Sequence, residues 1–192
     1  MKVVAFNGSA RKKGNTTILL NLVLDELKKE GIATELIQLS AGPLQGCIAC
    51  YKCFKKKNGR CAVEKDALND YFQKMVQADG ILLGSPTYFA DLTANVKALI
   101  ERCGMVSRGG GDLLKRKVGA GVVVARRAGA IHAFSSLNYF FLIGQMIVPG
   151  SSYWNVAIGR EPGEVSADEE GVLTMKTLGQ NMAWLLKKIN DA

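Results

Sequence analysis

Residues 2–30, KVVAFNGSARKKGNTTILLNLVLDELKKE, pass from an apolar strand through a polar loop into an amphipathic helix, and this pattern is the strongest indication of the fold class. The predicted strand is Lys2-Phe6, and the predicted helix covers Thr16-Glu30 and stops at Gly31. One face of this helix is apolar and comprises Ile18, Leu19, Leu22, Val23 and Leu27. A strand that runs into such a helix predicts the first half of a βαβ unit.

The same alternation of apolar runs and amphipathic stretches continues along the chain. Further strands are predicted at Thr34-Leu39, Gly80-Gly84 and Val118-Ala125, and one within Tyr153-Ile158. Further helices are predicted near Ala67-Gln77, from Thr93 to Arg102, over Ala130-Met146, and from a capping box at Ser166-Glu169 to Lys187 and Lys188. This series predicts an α/β fold with a parallel sheet, whose ligands bind at the carboxyl ends of the strands.

Length and composition indicate a single intracellular domain over residues 1–192, with a cysteine-rich insertion at about 41–66. Met1 leads straight into a strand, and no run of about 18 apolar residues exists, so we expect a cytoplasmic protein without a membrane contact. The net charge is +8, but the basic residues form separate short groups without a nucleic-acid recognition motif. We therefore expect no nucleic-acid partner, whereas an acidic partner or a phosphorylated ligand fits the charge.

The loop Asn7-Thr16 has the composition of an anion cradle. A helix N-terminus offers free N–H groups, and Ser9, Arg11, Asn15 and Thr16 add side-chain donors. The P-loop pattern and the Rossmann glycine pattern are both absent from the sequence, so a terminal monophosphate is favoured over a triphosphate or a tightly held NAD. The alternative is an ordinary strand-helix turn capped by Asn15.

Two other loops follow predicted strands. In Ser85-Asp91 a proline fixes the turn, and Tyr88 and Phe89 stand where a flat ligand would lie. Alternatively these aromatic rings only fill the edge of the sheet. The small-residue loop Arg126-Ala130 is a weaker signal for close approach to a ligand.

Four cysteines form a C-x2-C-x2-C-x7-C array, made of Cys47, Cys50, Cys53 and Cys61. In a chain without a secretion signal this spacing favours an iron-sulfur cluster, a zinc ion or redox-active thiols over disulfides, and inert cysteines remain an alternative. Cys103 is predicted to lie in the core. The lone His132 falls in a predicted helix, and we expect no catalytic role for it.

The motif Gly8-Ser9-x-Arg11-x-x-Gly14-Asn15-Thr16 resembles the FMN-phosphate loop of the flavodoxin-like NADPH-dependent FMN reductases. Ser85-Pro86-Thr87-Tyr88 resembles their isoalloxazine loop, and the cysteine array falls after strand two, as in the iron-sulfur flavoproteins of that family. The resemblance runs nearly end to end. It implies a doubly wound, five-stranded parallel sheet of order 2-1-3-4-5 with helices on both faces.

The resemblance also implies the site residues. The residues that would bind the FMN phosphate are Ser9, Arg11, Gly14, Asn15 and Thr16; those beside the flavin ring are Pro86, Thr87, Tyr88 and Phe89, with Arg126 and Gly129 closing the other side. The ligands of a [4Fe-4S] cluster would be Cys47, Cys50, Cys53 and Cys61. No catalytic side chain is implied, since the flavin carries the chemistry.

The implied activity is hydride transfer from NAD(P)H, a transient substrate, to FMN, followed by electron transfer through the cluster. The acceptor would be a small molecule or a protein such as an acidic redox protein. The chain would form a homodimer or homotetramer, with flavin and cluster close together across a subunit interface. Two alternatives stay open, a cluster-free NAD(P)H:FMN or quinone reductase and a zinc-binding interaction module. The sequence holds no dinucleotide fingerprint that separates NADH from NADPH.

Overall fold

A computed structural model describes residues 1–190, without the side chain of Ala41. The strands are β1 (Lys2–Asn7), β2 (Ala33–Gln38), β3 (Gly80–Pro86), β4 (Val118–Ala125) and β5 (Val156–Ile158). The helices are α1 (Asn15–Lys29), α2 (Lys52–Lys56), α3 (Leu68–Gln77), α4 (Ala94–Gly109), α5 (Ala130–Ile143) and α6 (Glu169–Asn190). No helix within residues 1–190 is long and apolar enough to cross a bilayer.

The five strands form one sheet of order β2-β1-β3-β4-β5, and every neighbouring pair is parallel. This confirms the predicted flavodoxin-like order. The strand order reverses between β1 and β3, and such a switch point opens a crevice at the carboxyl ends of the strands.

Side chains of β1 alternate between two hydrophobic cores. Val3 and Ala5 pack with α1 and α6, and Val4 and Phe6 pack with α3, α4 and α5. Helices therefore cover both faces of the sheet, which explains why its central strands are continuously apolar. Cys103 is fully buried in the second of these cores, as predicted.

Helix α4 is longer than predicted. It continues past Arg102 to Gly109, because Cys103 and Val106 extend its buried face by more than a turn. A Cβ at Gly109 would stand 2.9 Å from the carbonyl carbon of Cys53, so the glycine lets α4 touch the backbone of the cysteine segment. The predicted glycine-rich loop around Gly109-Gly111 is correspondingly shorter.

Two other helix ends also differ from the prediction. Helix α5 stops at Ile143 rather than Met146, where Gln145 adopts a left-handed backbone with φ of 55°. Helix α6 is capped by Asp168 rather than Ser166, since Asp168 Oδ1 accepts a hydrogen bond from the Gly171 N–H at 3.0 Å. Its Oδ2 accepts from the Ile158 N–H at 2.8 Å, which ties the start of α6 to the end of β5.

Candidate functional site

A cavity of about 160 Å³ lies at the carboxyl ends of β1, β3, β4 and β5. The residues that line it are Ser9, Arg11, Gly14, Asn15, Thr16, Pro86, Thr87, Tyr88, Val124, Arg126, Gly159 and Arg160. Nine of the eleven residues predicted to bind FMN are among them; the other two, Phe89 and Gly129, lie nearby but outside the lining.

The loop after β1 folds tightly over the start of α1. The Gly8 N–H donates to the Gly84 carbonyl at 2.8 Å, and the Arg11 N–H donates to Ser9 Oγ at 3.1 Å. Helix α1 begins without a side-chain cap. Its first N–H groups have no acceptor within the helix, so they and the positive end of the helix dipole suit an anion in the cavity.

The side chain of Asn15 lines the cavity and binds the loop after β5. Its Nδ2 donates to the Glu161 carbonyl at 2.9 Å, and its Oδ1 accepts from the Gly163 N–H at 2.8 Å. Both ends of the amide are thus engaged by the loop after β5. This contact holds Arg160 at the cavity, where the Arg160 carbonyl also accepts from Arg11 Nη1 at 3.4 Å.

Sequence reasoning missed Gly159 and Arg160. The available signal was the parallel topology itself, because the loop after β5 must reach the same sheet edge as the loops after β1, β3 and β4.

Thr87, in the loop after β3, lines the cavity. The Oγ1 of Thr87 is buried and has no hydrogen-bond partner among the described residues. The Thr87 N–H donates to the Val124 carbonyl at 2.7 Å, which fixes the backbone beside β4. A buried hydroxyl without a partner is unfavourable, so this atom indicates a place for a ligand group.

Phe89 stands at the tip of a tight turn. Reciprocal backbone hydrogen bonds join Tyr88 and Asp91, and Phe89 and Ala90 between them have φ of 47° and 63°. The ring of Phe89 is fully exposed. Its predicted contact with the flavin ring would need the ligand to reach beyond the cavity.

Gly129 supports the same turn from the side of β4. Its φ is 86°, and a Cβ there would stand 2.8 Å from the Ala90 Cα. Gly129 therefore allows the loop after β4 to approach the turn closely. His132, one turn into α5, is exposed, with Nε2 3.6 Å from Asp91 Oδ2.

The four cysteines of the array line a second, smaller cavity of about 20 Å³. Its lining is Cys47, Ile48, Cys50, Tyr51, Cys53, Cys61, Ala62, Val63, Arg102, Met105 and Val106. All four cysteines are free thiols, and burial raises the pKa of the Cys53 thiol. Left-handed backbone at Ala49 and Tyr51, with φ of 50° and 52°, turns the chain so that the first three cysteines face one space.

The thiols do not converge like the ligands of one ion. Across residues 1–190, no three His, Cys, Asp or Glu side chains are grouped to hold a single metal. A zinc site would require four sulfurs at about 2.3 Å from one point.

Arg102 is a site residue that the sequence did not reveal. It lies on α4, is 1% exposed, and donates from Nε to Cys61 Sγ at 3.4 Å. In the sequence, Arg102 marks only the predicted end of that helix.

The two cavities share no lining residue. The cysteine segment leaves β2 at the same sheet edge as the first cavity but then packs along α4 at Arg102, Met105 and Gly109. Arg102 lies eight residues beyond Ala94, the first residue of α4, which is about 12 Å along the helix. Within one chain, the cysteines therefore lie away from the switch-point cavity.

Residues 1–161 match the family model of the NADPH-dependent FMN reductases. An iron-sulfur flavoprotein of Methanocaldococcus jannaschii is 37% identical over 98% of this chain and 99% of its own length. An iron-sulfur flavoprotein of Archaeoglobus fulgidus is 37% identical over 92% of this chain and 86% of its own.

Among solved structures, RosB with a bound 8-demethyl-8-formylriboflavin-5'-phosphate intermediate aligns with a TM-score of 0.78 at 18% identity, over 100% of this chain and 81% of RosB. That likeness shows a shared fold. Together with the sheet order, the phosphate-type loop and the cysteine array, the sequence matches show that the chain belongs to the NADPH-dependent FMN reductase family, in its iron-sulfur flavoprotein subgroup.

Proposed function

We propose that this protein is an FMN-dependent oxidoreductase that takes a hydride from NAD(P)H and passes the electrons on singly through a [4Fe-4S] cluster. The observation that carries the proposal is the switch-point cavity, where the phosphate-type loop, the Pro86-Tyr88 loop and the unpartnered Thr87 hydroxyl meet.

The side chains of this cavity fit FMN. Arg11, Arg126 and Arg160 are three basic residues that line this small cavity beside the N-terminus of α1. Charge-assisted hydrogen bonds from arginine are the strongest that a phosphate receives from side chains. The Thr87 Oγ1 would donate to, or accept from, a polar group of the ligand and so lose its burial penalty.

Bound FMN would supply the redox chemistry, accepting two electrons and a proton as hydride from a reduced nicotinamide and releasing electrons one at a time. The chain binds and orients it. Ser9, Arg11, Gly14 and Thr16 would hold the phosphate, and Asn15 would act indirectly by fixing the loop that carries Arg160. Pro86, Thr87 and Tyr88 would face the ring system, with Phe89 and Gly129 at its outer side.

The cysteine cavity fits a cluster by the chemistry of its donors. Four thiols from one segment surround one space, and a [4Fe-4S] cluster is held by four cysteine thiolates. Such a cluster would accept and release single electrons. A cluster with several irons does not need its four ligands to meet at one point, in contrast to zinc.

A basic rim lies beside these cysteines. Lys52, Lys55, Lys56, Lys57 and Arg60 are exposed, and none of the ion pairs recorded within residues 1–190 involves them. Such a surface attracts partners of opposite charge. It supports an acidic redox protein as the electron acceptor, with a small molecule as the other possibility.

The separation of the two cavities along α4 supports a homodimer or homotetramer in which electrons cross between subunits. Tyr139, Leu142 and Ile143 on α5 are 67%, 62% and 60% exposed, whereas Phe140 and Phe141 fill the core. Tyr139 and Ile143 line one open cavity, and a contiguous exposed apolar patch is typical of a contact surface.

A cluster-free NAD(P)H:FMN or quinone reductase is the second candidate. One observation favours it: the switch-point cavity is complete without any residue of the cysteine segment. A zinc-binding module is not supported by the arrangement of the thiols.

Anaerobic purification followed by quantitation of FMN, iron and sulfide tests the proposal. We expect one FMN and four irons per chain, absorption that bleaches with dithionite, and flavin reduction by NADH or NADPH. Cys50→Ser should lose iron and keep FMN, while the matched control Cys103→Ala, outside the cavity, keeps both. FMN without iron would establish the cluster-free reductase, and a colourless protein that does not bind added FMN would overturn both candidates.

A further inference from the structure

Arg102 is a charged side chain inside an apolar helix face. It is 1% exposed, has the fully buried Leu99 and Cys103 near it on α4, and contacts the segment that carries the cysteines. A guanidinium in such a place is costly unless its donors are satisfied and its charge is paired. The groups that bind its guanidinium therefore show which part of the structure Arg102 stabilises.

The guanidinium contacts both ends of the cysteine segment. Nη1 donates to the Gln45 carbonyl at 3.1 Å, two residues before the first cysteine, and is paired with the Asp66 carboxylate. Nη2 donates to the Val63 carbonyl at 2.7 Å. Nε donates to Cys61 Sγ at 3.4 Å. One planar fork thus ties the start and the end of the segment to α4, which lysine could not do with a single nitrogen.

Asp66 and Asn69 bind the same segment as Arg102, and we call these three side chains the clamp. Asp66 Oδ2 accepts from the Gln45 N–H at 3.1 Å, and Asp66 Oδ1 accepts from the Leu68 N–H at 3.2 Å. Asn69 Oδ1 accepts from the Cys61 N–H at 2.8 Å, while Asn69 Nδ2 donates to the Cys61 carbonyl at 3.0 Å. The backbone of Cys61 is therefore fixed on both sides by groups that are not part of any metal site.

The clamp also has an electrostatic consequence. Arg102 is the one basic side chain, and no aspartate or glutamate is present, among the residues that line the cysteine cavity. A charged N–H donor that points at a ligating sulfur stabilises negative charge there, and hydrogen bonds to the sulfurs are among the factors that set cluster potentials. Reduction adds negative charge, so this donor favours the reduced form.

We propose that Arg102 is the positioning residue of the cysteine site. It holds Cys61 in the position of a cluster ligand before a cluster is bound. Its Nε–H also raises the reduction potential of the cluster, and this second effect rests on the proposed [4Fe-4S] function. Buried ion pairs also occur as ordinary structural elements. The bond from Nε to the sulfur separates these two roles, because only a tuning role predicts that the potential falls when this donor is lost and rises when the counter-charge of the guanidinium is removed.

The test compares Arg102→Lys, Asp66→Asn and wild type, with Arg108→Lys as the matched control. Arg108 lies on the same helix but is exposed and donates to the Ile143 carbonyl, away from the cysteines. Two measurements are made: amide hydrogen exchange of residues 45–66 in the cluster-free protein, and the midpoint potential of the cluster by a titration monitored by electron paramagnetic resonance.

In Arg102→Lys we expect exchange over residues 45–66 to accelerate by about tenfold, since the ammonium cannot replace the fork. We expect reduction of the cluster in this variant to become about tenfold less favourable, which shifts the midpoint potential by about −59 mV for one electron. Asp66→Asn leaves the guanidinium without its counter-charge, so its potential should shift to more positive values. Arg108→Lys should match wild type in both measurements.

If Arg102→Lys had the amide exchange rates and the cluster midpoint potential of wild type, the proposal would be overturned. Shifts of the same sign in Arg102→Lys and Asp66→Asn would overturn the tuning role, and if Arg102→Lys fails to fold, the sign of the Asp66→Asn shift decides it. If the wild type holds no iron, the proposed cluster function fails. The exchange comparison then still decides whether Arg102 positions Cys61.

Discussion

Replacing Asn15 by alanine tests whether this residue positions a loop or binds the cofactor directly. The substitution removes two hydrogen bonds, of 2.9 Å to the Glu161 carbonyl and 2.8 Å from the Gly163 N–H. Each such bond contributes about 0.5–1.5 kcal/mol, so the free energy of unfolding should fall by about 2 kcal/mol in the absence of FMN. For a domain of this size that loss lowers Tm by about 4–8 °C.

The assay is urea and thermal unfolding of the flavin-free protein, followed by titration with FMN and with riboflavin, which lacks the phosphate. Asn181→Ala is the control, because this asparagine is exposed and makes one hydrogen bond, to the Gly150 carbonyl at 2.9 Å. Its loss should cost about half as much. If Asn15→Ala left the flavin-free protein as stable as wild type and weakened only FMN binding, Asn15 would be a direct phosphate ligand and our reasoning would be refuted.

Three further predictions follow from single contacts. Gly8→Ala should lower the free energy of unfolding in urea by about 1–3 kcal/mol, because its Cβ would stand 2.0 Å from Val96 Cγ2; Gly150→Ala, with no atom within 4 Å, should be neutral. Hydrogen bonds from Lys2 and Lys74 lower the pKa of Glu35 in the folded protein. The ionised carboxylate therefore stabilises the fold above its unfolded-state pKa of about 4.3. This stabilisation is lost as the pH falls through the lower pKa of the folded state. Glu35→Gln should flatten that acid limb of urea stability, and an unchanged limb would contradict the assignment. Burial raises the pKa of the Cys103 thiol, so mass spectrometry after iodoacetamide treatment of the cluster-free protein should find Cys47 modified and Cys103 only after unfolding.

Much of the fold could be predicted because its signals are local. Val118–Ala125 has the predicted bounds, since a strand buried on both faces is one continuous apolar run between polar neighbours. Helix ends were less predictable. The end of α4 depends on whether Cys103 and Val106 find a core to enter, and that core is built from distant elements.

The candidate site shows the same division. Ser9, Arg11 and Thr16 could be found because they follow a strand and open a helix within one short motif. Arg160 could not be found from a motif, and its neighbour Arg11 is 149 residues away. The backbone partners of Asn15, Glu161 and Gly163, are equally distant, so no local motif could predict that its side chain binds the loop after β5.

A parallel α/β sheet, a loop predicted to bind an anion and a set of four clustered thiols could be inferred from the sequence alone, because periodicity and short motifs depend on neighbouring residues. Which side chains share a space depends on the tertiary packing. It brings Arg160 to the phosphate-type loop and Arg102 to Cys61, and it keeps the cysteine cavity apart from the switch-point cavity. The physical reason is that contacts between residues far apart in the chain follow from how helices pack on the sheet, and no local pattern encodes that packing.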